Sequence, residues 1–243
     1  MSEIFTPDTS RQTEVFLPDQ YKNTVTIIGV GATGGWLALN LAKMGVKKLC
    51  LIDNDVVEAH NIANQIYSPS DVGKQKVAAL YDILRKASQF DEDQQEITIK
   101  TCFVTEKNAK ETIPPGFVFV CVDSMKSRKE IVDAISFDVN YDSFVDTRMG
   151  TNVFRCYIID PKRDNLLQQY KKTLYSDEEA MESFCGVSQS IVATAQMLAA
   201  YATWQFIDFV AKKINQEETI FAISEYPSLT TFHYPSIAWP VNE

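Results

Sequence analysis

The sequence is poor in the residues on which many catalytic schemes rest. Its 243 residues hold only two histidines, His60 and His233. The first reads as a loop residue and the second as surface or partly buried, so histidine acid–base chemistry is a weak starting point. The five cysteines, Cys50, Cys102, Cys121, Cys156 and Cys185, include no C-x-x-C pair. That spacing is what a zinc site or dithiol redox motif uses, so no structural zinc is predicted. Cys50, Cys102 and Cys121 lie in apolar, strand-like runs and read as small buried thiols. There is no long basic run, and 23 basic against 32 acidic residues give a net charge of −9. Such a surface repels a nucleic-acid backbone. The first 12 residues lack an apolar core, which predicts no secretory leader. With an odd number of scattered cysteines, this fits a reducing cytoplasm. The one apolar stretch of near-spanning length, residues 191–211, contains Gln196, Gln205 and Asp208. It predicts a buried helix and no membrane span.

What is present is a chain able to bury a core unaided, 45% hydrophobic and 23% charged. Residues 1–22 read as an arm with a helical piece near 11–17. β-Branched and apolar runs predict strands at 24–28, 48–52, 97–103, 117–122 and 143–147. Helices are predicted between them at 33–44, 72–90 and 126–135, with a short one after 103. Gly45 suits the left-handed cap that ends the first. This alternation predicts an α/β, Rossmann-like, doubly wound and mostly parallel sheet over 23–150. From 151 to 243 the pattern changes to a C-terminal extension of the same domain. An antiparallel or edge strand is expected at 153–159, a polar helix at 162–174, the long helix, and two short strands at 219–223 and 229–234. Ile191, Ala195, Leu198, Ala202, Phe206 and Phe209 recur at helical spacing.

The first strand runs into Gly29-Val30-Gly31-Ala32-Thr33-Gly34. The first glycine permits a tight turn, the second lets a phosphate approach the backbone, and the third allows close helix–strand packing. The helix that follows offers free N–H groups to an anion. Asp53 ends the second strand about 20 residues on, where an acid can accept from ribose hydroxyls. Up to this point an NAD-dependent oxidoreductase fits as well as an ATP-using enzyme.

The next segment separates the two. Asp53-Asn54-Asp55-Val56-Val57, Asn61-Ile62-Ala63-Asn64-Gln65 and Gly73-Lys74-Gln75-Lys76 stand in order, followed by Val122-Asp123-Ser124 and Arg128. This set resembles the ThiF/MoeB family, which includes ubiquitin-activating enzymes and bacterial sulfur-carrier adenylyltransferases. The resemblance implies an enzyme that binds ATP and Mg²⁺ and adenylates the C-terminal carboxylate of a ubiquitin-like or sulfur-carrier protein. By matching motif, Asp53 would hold the ribose and Lys76 the phosphates. Asp123 would bind or position Mg²⁺, and Asn61 and Gln65 would line the phosphate region beside Asp55 and Asn64. Arg11 would reach the site of a second subunit, as a similarly placed arginine does in the dimeric relatives, so a homodimer is expected.

Two features depart from the family pattern or go beyond it. Asn64 stands where the family usually has an arginine, which removes one fixed positive charge; Arg148 or Lys74 could compensate. Cys185 precedes the long helix, resembles a cysteine found there in several relatives, and could take the acyl group as a thioester. Each assignment has a plainer alternative. Lys76 could be a solvated lysine on an outer helix face, Asp123 an N-cap, Arg128 a structural partner of an acid, and Cys185 an idle thiol. A chain that binds ATP and a partner without catalysis also stays open.

Overall fold

A computed structural model describes residues 7–88, 93–150, 154–175 and 191–211, and the backbone of 221–225 and 230–234. Strand and helix alternate: β1 (Thr24–Ile28), α1 (Ala32–Lys43), β2 (Lys48–Ile52), α2 (Lys76–Ser88), β3 (Glu96–Lys100), α3 (Ala109–Thr112), β4 (Gly116–Val120), α4 (Met125–Ile135) and β5 (Tyr141–Met149). Then follow β6 (Phe154–Ile159), α5 (Asp164–Lys171), α6 (Val192–Val210), β7 (Phe221–Glu225) and β8 (Thr230–Tyr234). One sheet has the order β3-β2-β1-β4-β5-β6. Its first five strands are parallel and β6 is antiparallel to β5. β7 and β8 form a separate antiparallel pair. This is the expected α/β, Rossmann-like architecture.

The strand runs are apolar because the sheet is covered on both sides. Val25, Ile27, Phe117 and Phe119 face a core shared with Leu37 and Leu41 of α1, Leu80 of α2 and Phe206 of α6. Their neighbours Ile28, Val118 and Val120 face a second core with Ile131 and Ile135 of α4 and Leu167 of α5. The long helix buries one face only. Ala195, Leu198, Ala202 and Phe206 are inaccessible, whereas Ile191, Met197 and Trp204 are exposed. No described helix is long and apolar enough to cross a membrane.

Two local expectations shift. Residues 11–17 form no α-helix: a 3-10 turn at Ser10–Gln12 precedes Phe16, which is buried with its ring 6.0 Å from Phe206. Burying that ring sets the path of the arm. Helix α2 starts at Lys76 and not at 72, because the preceding backbone is engaged elsewhere. The Gly73 N–H donates to Val57 O and the Val57 N–H to Lys74 O, both at 2.8 Å, with Gly73 at φ 88.

Asp71 ends the 3-10 turn just before this crossing. It accepts from the Ser68 hydroxyl at 2.6 Å and from Lys74 Nζ at 2.9 Å. The Ser68 bonds, joined by Lys74 and opposed by desolvation, hold its carboxyl down at about 2. Its contribution to stability is therefore complete above the unfolded value of about 3.9 and is lost as pH falls toward about 2. Protection of the Ser68 amide, taken relative to its intrinsic exchange rate, is expected to fall over that window in the native protein, and to lose that pH dependence in Asp71→Asn.

Candidate active site at the C-terminal edge of the sheet

The chain after β1 leads to one side of the sheet and the chain after β4 to the other, so a crevice opens where strand order reverses. A cavity of about 670 Å³ lies there, within the range of small-molecule sites. It is bordered by Gly29, Gly31, Ala32 and Thr33, by Asp53 and Asp55, by Asn61, Asn64 and Gln65, and by Lys76 and Asp123. Those eleven positions, drawn from five separate stretches of sequence, are thus brought together.

The glycines divide their work. Gly29 has φ 86, and an added Cβ would meet the Cys121 carbonyl oxygen at 2.7 Å. Gly34 is absent from the lining and is a packing glycine: its Cβ would fall 1.9 Å from Gly29 O. At Gly31 the nearest atom to an added Cβ is Gln65 Nε2 at 3.8 Å, so this side of the turn is open for a ligand. Gly31 caps α1 without a side-chain bond, leaving the first-turn N–H groups to an outside acceptor. Tyr67 donates its hydroxyl to Val30 O at 2.7 Å and so pins the turn to the crossover.

Asp53 accepts from the Val30 N–H at 2.7 Å and from the Asp55 N–H at 2.8 Å. It braces the turn as well as facing the cavity, and its oxygens keep further lone pairs for other donors. Lys76 is no outer-face lysine: its side chain is 9% exposed and Nζ lies 2.9 Å from Asp55 Oδ2. Asn61 is buried and accepts from the Glu58 N–H at 2.9 Å, which fixes the 3-10 turn it ends. Asp123 is exposed just past β4, and the N-cap of α4 is the next residue, Ser124. The capping alternative for Asp123 therefore falls away.

Other expectations resolve differently. Arg128 is buried and pairs with Asp146, as its reading as the partner of an acid expects, and it also borders the cavity. Lys74 pairs with Asp71 and does not border the cavity, whereas Arg148 does. Arg11 is exposed on the arm and outside the lining. Cys185 lies outside the described residues. Cys50 is a buried thiol as expected, but Cys102 and Cys121 follow their strands and border the cavity. Burial pushes the Cys121 thiol up to about 12, against the weaker pull of Thr147 and Arg128. It is expected to stay unmodified by iodoacetamide at pH 8; a mapped adduct there would refute the assignment.

Sequence reasoning missed much of the far wall. Phe103, 66% exposed, stands at the lip; nothing in its apolar run marks it as a lip residue. An apolar hollow of Ile28, Ile52, Val104 and Ile131 also borders the space, along with Ser127 and Thr147.

The sequence profile of the ThiF family matches residues 15–239. The chain belongs to the ThiF family. Over 117 residues it is 32% identical to ubiquitin-like modifier-activating enzyme 5 of Xenopus laevis, covering 44% of this chain and 30% of that protein. Over 111 residues it is 27% identical to tRNA threonylcarbamoyladenosine dehydratase of Escherichia coli, covering 44% of this chain and 40% of that one. This ThiF-family chain thus spans less than half the length of these curated relatives. Its fold superimposes on Escherichia coli MccB with ATP at a TM-score of 0.69 and 15% identity, over 99% of this chain and 75% of that one.

Proposed function

We propose that this ThiF-family chain is an ATP-dependent adenylyltransferase, and that its acceptor is the C-terminal carboxylate of a ubiquitin-like or sulfur-carrier protein. The observation that carries the reading is the convergence of the phosphate turn, Asp53, Lys76 and Asp123 on one cavity. The relative that activates a ubiquitin-like modifier supports the acceptor class.

In the reaction, a carboxylate oxygen bonds to the α-phosphorus while the bond from that phosphorus to the bridging oxygen breaks. Pyrophosphate leaves with the electron pair. The nucleophile is already ionised, so no base is required and the scarcity of histidine is no obstacle. The difficulty is anion meeting anion, which oriented donors and cations must offset. The N–H groups that open α1 and the Lys76 ammonium serve the phosphates, Asp53 serves the ribose, and the apolar hollow with Phe103 accommodates the base.

The residues fit a divalent cation. Of the lining cations, Arg128 and Arg148 are engaged by Asp146, and Lys76 stands against Asp53, Asp55 and Asp123, so the protein alone cannot neutralise a triphosphate. Asp123, an exposed carboxylate without an ion-pair partner among the described residues, would hold Mg²⁺, which prefers carboxylate, phosphate and water oxygens. When bound, Mg²⁺ supplies charge neutralisation at the triphosphate. In a homodimer, Arg11 of a second copy would add a further cation to the phosphates, and the Cys185 thiolate would bond to the acyl carbon of the adenylate as AMP leaves, giving a thioester.

The test is ATP–pyrophosphate exchange with candidate carboxylate acceptors, with and without EDTA, beside thermal melts with ATP and with NAD. Exchange that needs acceptor and divalent metal, with stabilisation by ATP and not by NAD, is the expected result. ATP binding without exchange for any acceptor would replace this reading by a non-catalytic partner-binding one.

A further inference from the structure

We propose that a buried triad of Arg128, Asp146 and Arg148 seats the acceptor's carboxylate, in the part of the cavity under the ends of β4 and β5. The proposal rests on the reading of this cavity as an adenylation site. Asp146 is fully buried, and the side chains of Arg128 and Arg148 are 5% and 1% exposed. Asp146 accepts from Arg128 Nη1, from Arg148 Nε at 2.7 Å and from the Tyr170 hydroxyl at 3.0 Å. Arg128 also donates to Val122 O, and Arg148 to the carbonyl and hydroxyl oxygens of Thr173 at 2.7 and 2.9 Å.

Two guanidinium charges therefore share one carboxylate. Both arginines border the cavity, and a guanidinium does not give up its proton in proteins. Burial works against the Arg148 charge, but Asp146, Tyr170 and Tyr157 outweigh it and raise the group above its ordinary value. The Tyr157 ring, 4.6 Å from the Arg148 guanidinium carbon, spreads the surplus without cancelling it. A buried, unbalanced charge is costly unless an anion joins it. The donors are also in excess. Of about ten N–H bonds on two guanidiniums, five have acceptors among the described residues, and Arg128 Nε is buried with none.

The anion could be a phosphate or a carboxylate, and position favours the carboxylate. The phosphates already have the Gly29–Thr33 turn and Lys76, on the side of β1 toward α2. The triad takes Arg128 from α4, bonded to Val122 O just past β4, and Asp146 and Arg148 from β5, so it lies one to two strands beyond β1. Parallel neighbours stand about 4.8 Å apart, so a group held over Val122 lies next to one over the turn. A planar fork matches a carboxylate in two-point contact.

The test is calorimetric titration of the full chain, using glycylglycine as the carboxylate probe, its C-terminal amide as the neutral control, and AMPCPP with Mg²⁺ as the nucleotide. Wild type is expected to bind glycylglycine but not the amide. Arg148→Met is expected to weaken glycylglycine about tenfold or more while leaving AMPCPP within about twofold. That variant leaves Arg128 and Asp146 as a balanced pair; should it fail to fold, Arg148→Lys keeps the charge, loses the fork, and should still weaken the probe. Equal glycylglycine binding in the variants, equal binding of the amide, or parallel loss of AMPCPP would overturn the proposal. Wild type that binds AMPCPP but not glycylglycine sinks this inference alone. Wild type that binds glycylglycine but not AMPCPP sinks the ATP reading and leaves the triad standing, and binding of neither sinks both.

Discussion

Replacing Lys76 by alanine is expected to lower pyrophosphate exchange by about 10²-fold or more in a protein that still folds. The two halves of that result have separate causes. Among the described residues Lys76 is the one lysine bordering the cavity, held at the start of α2 by its 2.9 Å contact with Asp55. Removing it takes away a fixed cation that no water molecule can replace beside a triphosphate. The stability cost is small because Asp55, the partner left behind, has a side chain 54% exposed. Water can solvate that carboxylate once the ammonium is gone, so a loss of about 1 kcal/mol is expected. Asp123→Ala should cut exchange comparably and leave the melting temperature in place, since its carboxylate is exposed and does not cap α4. Exchange persisting at the wild-type rate in both variants would remove the adenylation reading.

Gly34→Ala is the substitution expected to damage the fold most. Its methyl group would fall 1.9 Å from Gly29 O and 3.0 Å from Gly29 C. Both atoms are backbone, so no side chain can swing aside. The start of α1 must move away from the end of β1, opening the packing of Ile27 and Leu37 in the core. A cost of about 3 kcal/mol or more follows, a large share of the about 5–15 kcal/mol that holds a domain together. Gly31→Ala is the informative companion, because its methyl group meets nothing closer than Gln65 Nε2 at 3.8 Å. It should disturb the fold less than Gly34→Ala while filling space that a phosphate would use. The expected pattern is a lowered melting temperature for Gly34→Ala and lost ATP stabilisation for Gly31→Ala. Wild-type melting of Gly34→Ala would show that the turn is not packed as described.

Much of the nucleotide half is legible in the sequence. The glycine spacing, Asp53 and the 61–76 segment sit within about 50 residues of one another, and local patterns of that kind survive as motifs. The strands at Thr24–Ile28 and Lys48–Ile52 were readable because burial on both faces demands unbroken apolar runs. The start of α2 was misplaced because an isolated bridge between Val56 and Gln75 leaves no local mark. Asp146 was silent altogether: its partners Arg128 and Tyr170 lie 18 and 24 residues away.

The sequence by itself thus determined the strand–helix alternation, the phosphate turn and the ThiF-family resemblance. Each depends on residues close along the chain, or on periods that a covered sheet imposes. Only the tertiary structure decided that Lys76 is buried against Asp55, that Lys74 belongs to Asp71 while Arg148 faces the cavity, and that Asp146 is shared between two arginines. Charge partners are chosen by distance in space: the fold brings Lys76 to Asp55 and Arg128 to Asp146 across 21 and 18 residues, and it also decides which near neighbours pair, Lys74 with Asp71 and Arg148 with Asp146.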